Sequence, residues 1–308
     1  MTLPLDSHQQ ELLDLLGEVI AKIGLRRVPL VEPTAAFFPE RYEPTLPSAG
    51  RLLHRLLSFA GVALEPEIVD GRRPPGAFVE GEFEVTRPVV SFIAIESGRA
   101  VFQVDQLGPG DLTAAELCQQ VAYASLGAGG DPAQAAAATI VHGFGLITLP
   151  AATTMRRSSV VVGDRVITRQ NLMLTGALPS GDLAFLLAAW LVLRGSDESE
   201  RLERHLAEEP AANVAEWIQT LAPWRRELRE RFELPWSGDR WIEPAVIYAS
   251  PPSDERLSAW QRAEDLYRRP NQGQSTARRW SKKTLDYAIL GALLGLVATI
   301  ACLVKDSP

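Results

Sequence analysis

Cys118, Gln119, Gln120 and Tyr123 set a thiol, two amides and a phenol into a stretch, Thr113–Leu126, that is otherwise mostly apolar. A thiol attacks only as its thiolate, and an apolar helical setting raises its pKa, so Cys118 is a nucleophile candidate held inert. No Cys-His or Ser-His-Asp signature is local to it, although triad members can be distant in sequence. Zinc catalysis would need three ligands drawn from His, Glu, Asp or Cys, plus an open position for water. Two histidines four residues apart on a helix would be its strongest local mark. The histidines here, His8, His54, His142 and His205, are nowhere within a turn of one another. Glutamine amides are poor zinc ligands, and Gln120 cannot take up a proton as a carboxylate does. The stretch therefore predicts no metal and no cofactor.

The element that must position these groups is a helix. Thr113 and Glu116 have capping-box spacing, Leu117, Val121 and Ala124 recur on one face, and Gly127 follows as a C-cap. Asp131 and Pro132 are suited to N-cap and N1 of a second helix, predicted to reach about Ile147. Its alanines, Ala133 and Ala135–Ala138, allow close packing on the first. His142 in that helix reads as a hydrogen-bonded core histidine.

The run Val104–Leu126, VDQLGPGDLTAAELCQQVAYASL, resembles the strand, loop and active-site helix of zincin-type metallopeptidases. The family's helix reads roughly L-x-H-E-x-x-H. Laid on Leu117–Tyr123, the resemblance puts the first ligand histidine at Gln119, the general-base glutamate at Gln120 and the second histidine at Tyr123. The family's acidic third ligand precedes an apolar, glycine-containing run, here Thr139–Leu146, and falls among Ala135–Ala138, at Ala136. The resemblance covers about residues 35–195 and implies the fold without the activity. It also implies a strand edge beside the helix that pairs with an extended peptide.

The chain has 308 residues, 46% of them hydrophobic, which is material for one large core or two small ones. A net charge of −7, spread along the sequence, argues against nucleic acid as a partner. Two cysteines, Cys118 and Cys302, make no disulfide framework and suit a reducing compartment. No basic n-region opens the chain, so no signal peptide is expected.

Ser7 and Gln10 have capping-box spacing for a helix running to about Ile23, with Leu12, Leu16, Val19 and Ile23 as its buried stripe. Val28–Pro47, rich in proline, reads as a surface crossing anchored by Phe37 and Phe38. Ser48–Ala60 is a leucine-striped helix on which His54 is expected to be partly exposed. Strands are predicted over Glu67–Val69, Ala77–Glu80, Val89–Ile95 and Ala100–Val104, the last two as a hairpin through Glu96-Ser97-Gly98. A second hairpin is expected around Gly163-Asp164. Asp182–Leu193, apolar on nearly every face, is too short to span a bilayer and reads as a core helix. Asn213–Phe232 is predicted to break or kink at Pro223.

From 250 to 284 the sequence reads as a flexible basic tether, with a short helix at Leu257–Tyr267. Tyr287–Val304 is an uncharged apolar run of 18 residues, long enough for a transmembrane helix. Arg278, Arg279, Lys282 and Lys283 precede it, so the positive-inside rule keeps the upstream residues cytoplasmic. Gly291 and Gly295 form a G-x-x-x-G pair on a small-residue face, which predicts a homodimer through the anchor.

The expected architecture is thus α+β: a zincin-like helical domain with a small antiparallel sheet over 1–249, a linker over 250–284, a transmembrane helix over 285–304 and a short tail over 305–308. The expected function is a non-catalytic, tail-anchored binding or scaffold protein that holds a peptide or protein partner at the cytoplasmic membrane face. Two other readings compete: a hydrolase using unrecognised groups such as Cys118, and a membrane-perturbing effector using amphipathic Asp6–Ile23 beside the span.

Overall fold

In a computed structural model, residues 3–24, 29–72, 88–127, 130–162, 165–174, 176–195, 198–234 and 251–268 are described. The folded unit is Met1–Leu266, and its mixed α+β architecture follows from two kinds of apolar pattern meeting on one helix. That helix, α3, is Gly110–Leu126. Its Leu117, Cys118 and Val121 enter a core with helix α2 (Leu46–Phe59) and a three-stranded sheet, while Ala122 enters a second, all-helical core. The second core is built by α1 (Ser7–Ile23), α4 (Pro132–Val141), α5 (Gly145–Ala152), α6 (Ser180–Arg194), α7 (Ser199–His205), α8 (Glu208–Leu221) and α9 (Arg225–Arg231).

Helix α6 is buried on every face from Leu183 to Arg194. Its 15 residues extend about 22 Å at 1.5 Å each, short of the roughly 30 Å of a bilayer core. Protein, not lipid, is therefore its solvent. Pro223 breaks the following helix as expected, through a 3-10 turn at Ala222–Trp224. Among the described residues no helix is long and apolar enough to cross a membrane. Tyr287–Val304, with Gly291, Gly295 and Cys302, lies outside the described residues, as does the strand expected at Ala77–Glu80.

The sheet corrects the antiparallel expectation. Its order is β1 (Glu65–Asp70), β3 (Arg99–Gln106), β2 (Val89–Glu96), with β3 in the middle. β2 and β3 form the expected antiparallel hairpin, turning through Ser97 and Gly98, both at positive φ. β1 instead runs parallel to β3, Glu65 opposite Arg99 and Asp70 opposite Val104. A parallel neighbour needs the chain to return to the starting end of the sheet between the two strands, and β2, which runs antiparallel to β3, makes that return. A separate hairpin, β4 (Thr153–Val162) with β5 (Arg165–Leu174), follows α5 directly and is longer than expected.

Helix boundaries also moved: α2 begins at Leu46 rather than Ser48 and α8 at Glu208 rather than Asn213. Asp6, not Ser7, caps α1, in a box with Gln9. α3 starts a turn before Thr113, whose hydroxyl is engaged with both the N–H and the carbonyl of Gly108. The helix opened by Asp131 ends at Val141 rather than Ile147, because Gly143 adopts φ 80° before α5 begins. Finally, the short helix expected at Leu257–Tyr267 within the tether runs over Asp254–Arg268, as α10, and its Trp260 and Glu264 are buried in the folded unit. Trp260 lies flat on Gly50 of α2, where no side chain could stand.

Helices α1 and α6 are joined at their starts by His8 Nε2 and Asp182 Oδ1, 3.0 Å apart. That hydrogen bond, with the aspartate's charge, raises the His8 pKa above 6.5. A raised folded-state pKa contributes stability that is fully present below pH 6.5 and is lost as pH rises through the folded value. A histidine titration followed by NMR should place His8 above 6.5, and Asp182→Asn should lower it. An unchanged midpoint in the variant would show that Asp182 is not the cause.

Candidate functional site

The polar face of α3 holds the residues singled out by type. Gln120 is buried, and its side-chain carbonyl accepts the backbone N–H of Phe92 at 2.7 Å, while its amide nitrogen lies 3.3 Å from Glu116 Oε1. Phe92 sits in β2, at the edge of the sheet beside a register shift. An edge strand presents unpaired N–H groups that invite another chain, and at this rung the helix supplies the acceptor. The opposite edge is treated in the same way: Arg256 of α10 donates to the carbonyl of Pro66 in β1 and pairs with Glu65. Peptide addition at the Phe92 rung would have to displace Gln120.

Gln119 is buried beside Gly176, where an added Cβ would stand 3.4 Å from its Oε1. Its amide meets no hydrogen-bond partner among the described residues. Tyr123 is half-buried, and burial, then the nearby Asp131 and Glu116 charges, push its pKa up. Ala136 is packed in the helical core. Two amides, a neutral phenol and a methyl group do not make a zinc donor set, which needs imidazole, carboxylate or thiolate. Among the described residues no group of three or more His, Cys, Asp or Glu is placed to hold a metal ion.

The remaining nucleophile candidates are structural. Cys118 is fully buried, and burial pushes its thiol pKa well up. In a chain carrying Cys302→Ser, a thiol reagent such as DTNB should label nothing in the native state and one thiol after denaturation; rapid native labelling would reopen Cys118 as a nucleophile. His142 lies 2.8 Å from Ser125 Oγ, which resembles a catalytic dyad. But Ser125 Oγ also lies 2.7 Å from the carbonyl of Ala122, an acceptor that competes with the ring for its one proton. With that proton on Ala122, Oγ accepts from His142, the reverse of base activation. The ring is buried, as expected of a core histidine, and His54 is partly exposed.

A cavity of about 520 Å³ lies on another face of α3, at its N-terminal turn. Phe38, Leu52, Ala114, Leu146, Ile147 and Pro150 line it, and so do Arg41, Arg51 and Arg55. Arg55 is buried and paired with Glu40 at 2.6 Å. Arg51 donates to Ser48 Oγ at 3.2 Å, and Arg41 is exposed. On the far wall His205 is held 3.0 Å from Glu32, which Arg201 also neutralises at 3.1 Å. The Tyr42 hydroxyl is buried beside Thr113, and burial raises its pKa. Sequence reading passed over this site because it followed the leucine stripe of α2. The available signal was Arg51 and Arg55, one helical turn apart on that stripe's flank.

No protein-family model, curated protein or solved structure matches this chain.

Proposed function

We propose that the chain is a non-catalytic binding or scaffold protein built on a degenerate zincin-like core and tethered to a membrane by Tyr287–Val304. The folded unit would face the cytoplasm and hold a peptide or protein partner there. The observation that carries the non-catalytic reading is the Gln120–Phe92 hydrogen bond at 2.7 Å. At the position where the resemblance expects a general base, the side chain is an amide committed to the sheet. Val69, Val89, Ile93 and Ile95 are exposed on the same sheet and supply apolar surface for a partner. The anchor reading rests on the uncharged run and its basic upstream flank, and self-association rests on Gly291 and Gly295.

Elemental analysis of the purified full chain should find no stoichiometric zinc. One zinc per chain, lost on chelation, would overturn the non-catalytic reading. In fractionated cells the protein should stay in the membrane pellet through carbonate washing, and deletion of 285–308 should release it. A truncated chain that remains in the pellet would move the anchor to Asp6–Ile23.

A further inference from the structure

We propose that the cavity at the start of α3 binds a small organic anion, free in solution: a carboxylate or phosphate ester carried on an apolar body. This does not rest on the scaffold reading, because the cavity shares no residue with the Gln119, Gln120 and Tyr123 face.

The walls define the body of the ligand. Phe38, Leu52, Ala114, Leu146, Ile147 and Pro150 surround about 520 Å³, within the range of small-molecule sites, and burying apolar ligand surface against them drives binding.

The charges define the head. Each acidic group of the rim but one is already matched: Glu40 by Arg55, and Glu32, behind His205, by Arg201. What remains among the described lining residues is two guanidiniums without an acidic partner, Arg41 and Arg51, against one carboxylate, Asp111. Arg51 has only a neutral hydroxyl as partner, at 3.2 Å. A guanidinium presents a fork of donors suited to a carboxylate or phosphate, and such charge-assisted bonds are about twice as strong as neutral ones. One further group acts in the same sense. The first turn of α3 lines the cavity and has no side-chain cap, so its positive dipole end is offset there, among the described lining residues, by Asp111 alone. An apolar pocket with two guanidiniums in its wall that have no acidic partner among the described residues selects an amphipathic anion over a neutral or cationic molecule.

Calorimetric titration of the full chain, kept soluble in amphipol, with 1-naphthoate tests this. Saturable binding of one 1-naphthoate per chain is expected. 1-Naphthol, with the same body and no charge, and acetate, with the charge and no body, should each bind about tenfold or more weakly. Arg51→Met should weaken 1-naphthoate by about tenfold, the loss of one charge-assisted contact. Ile147→Trp, which fills the cavity, should abolish binding. Arg99→Met, at an exposed pair with Glu67, should change nothing. Arg51 is only partly buried, so Arg51→Met keeps the fold and carries the test alone if Ile147→Trp does not fold. Equal binding of 1-naphthoate and 1-naphthol, or an Arg51→Met affinity equal to the native one, would overturn the proposal. Displacement of 1-naphthoate by phosphatidic acid vesicles would overturn the assignment to a free ligand.

Discussion

Gly143→Ala is expected to lower the stability of the folded unit by about 2–5 kcal/mol. Two costs add at this position. Gly143 has φ 80°, a left-handed backbone that costs an L-residue roughly 1–2 kcal/mol. Its Cβ would also be driven into the carbonyl oxygen of Pro29, which is backbone and cannot swing aside. The Val31 N–H bonds the Gly143 carbonyl at 2.8 Å, so the two chain segments are tied at the same point. Moving one past the other costs about 1–3 kcal/mol, as overpacking does elsewhere. Gly24→Ala is the control. It has φ 78° but nothing within 4 Å of the added carbon, so only the backbone cost of about 1–2 kcal/mol remains. Urea unfolding of the two variants separates the costs; equal losses would mean that the approach of Pro29 contributes nothing.

Arg72→Met is expected to cost about 3–5 kcal/mol, the cost of leaving a buried charge without its partner. Arg72 donates to Asp70 and, through Nη1, to Glu264 Oε2 at 2.8 Å, and the Arg72 and Glu264 side chains are only 5% and 4% exposed. Burial alone would lower the guanidinium's pKa, but its hydrogen bonds to Asp70 and the charges of Asp70 and Glu264 outweigh that, and the net shift is upward. Glu264 also accepts the N–H of Leu46 at 3.0 Å, so one carboxylate joins α10, the end of β1 and the start of α2. In Arg72→Met/Glu264→Gln the remaining side chain is neutral and can still accept from Leu46, so the double variant should lose clearly less than the sum of the single ones. Hydrogen exchange over residues 254–268 should rise in Arg72→Met, because α10 loses its buried anchor. Additive losses with unchanged exchange would show that the ion pair does not hold the helix.

Much of the helical scaffold was legible from spacing. The stripes of α1 and α2, the apolar run of α6 and the break at Pro223 are local properties, decided within a few turns of chain. Boundaries were less legible where two adjacent residues could do one job. Asp6 and Ser7 both precede a glutamine at capping-box distance, and the difference lay in which residue entered the helix. Thr113 has capping chemistry but uses it on Gly108, inside a helix that had already begun. The helix of Asp254–Arg268 was legible at Leu257–Tyr267 but is polar enough to pass for part of a tether, and two inward side chains, Trp260 and Glu264, are what make it part of the core.

The sequence by itself determined which chemistry the central helix could not perform, because no arrangement turns Gln119, Gln120, Tyr123 and Ala136 into a zinc donor set. It also determined the α3 core stripe, the β2–β3 turn at Ser97-Gly98 and the uncharged character of Tyr287–Val304. Only the tertiary structure decided that β1 runs parallel to β3, that Gln120 closes the sheet at Phe92, that Arg72 finds Glu264 192 positions away, and that three arginines rim one cavity. The physical reason is range. Capping, periodicity and turn preference act over a few residues, whereas pairing register, edge protection and cavity walls join segments brought together only when both cores pack on α3.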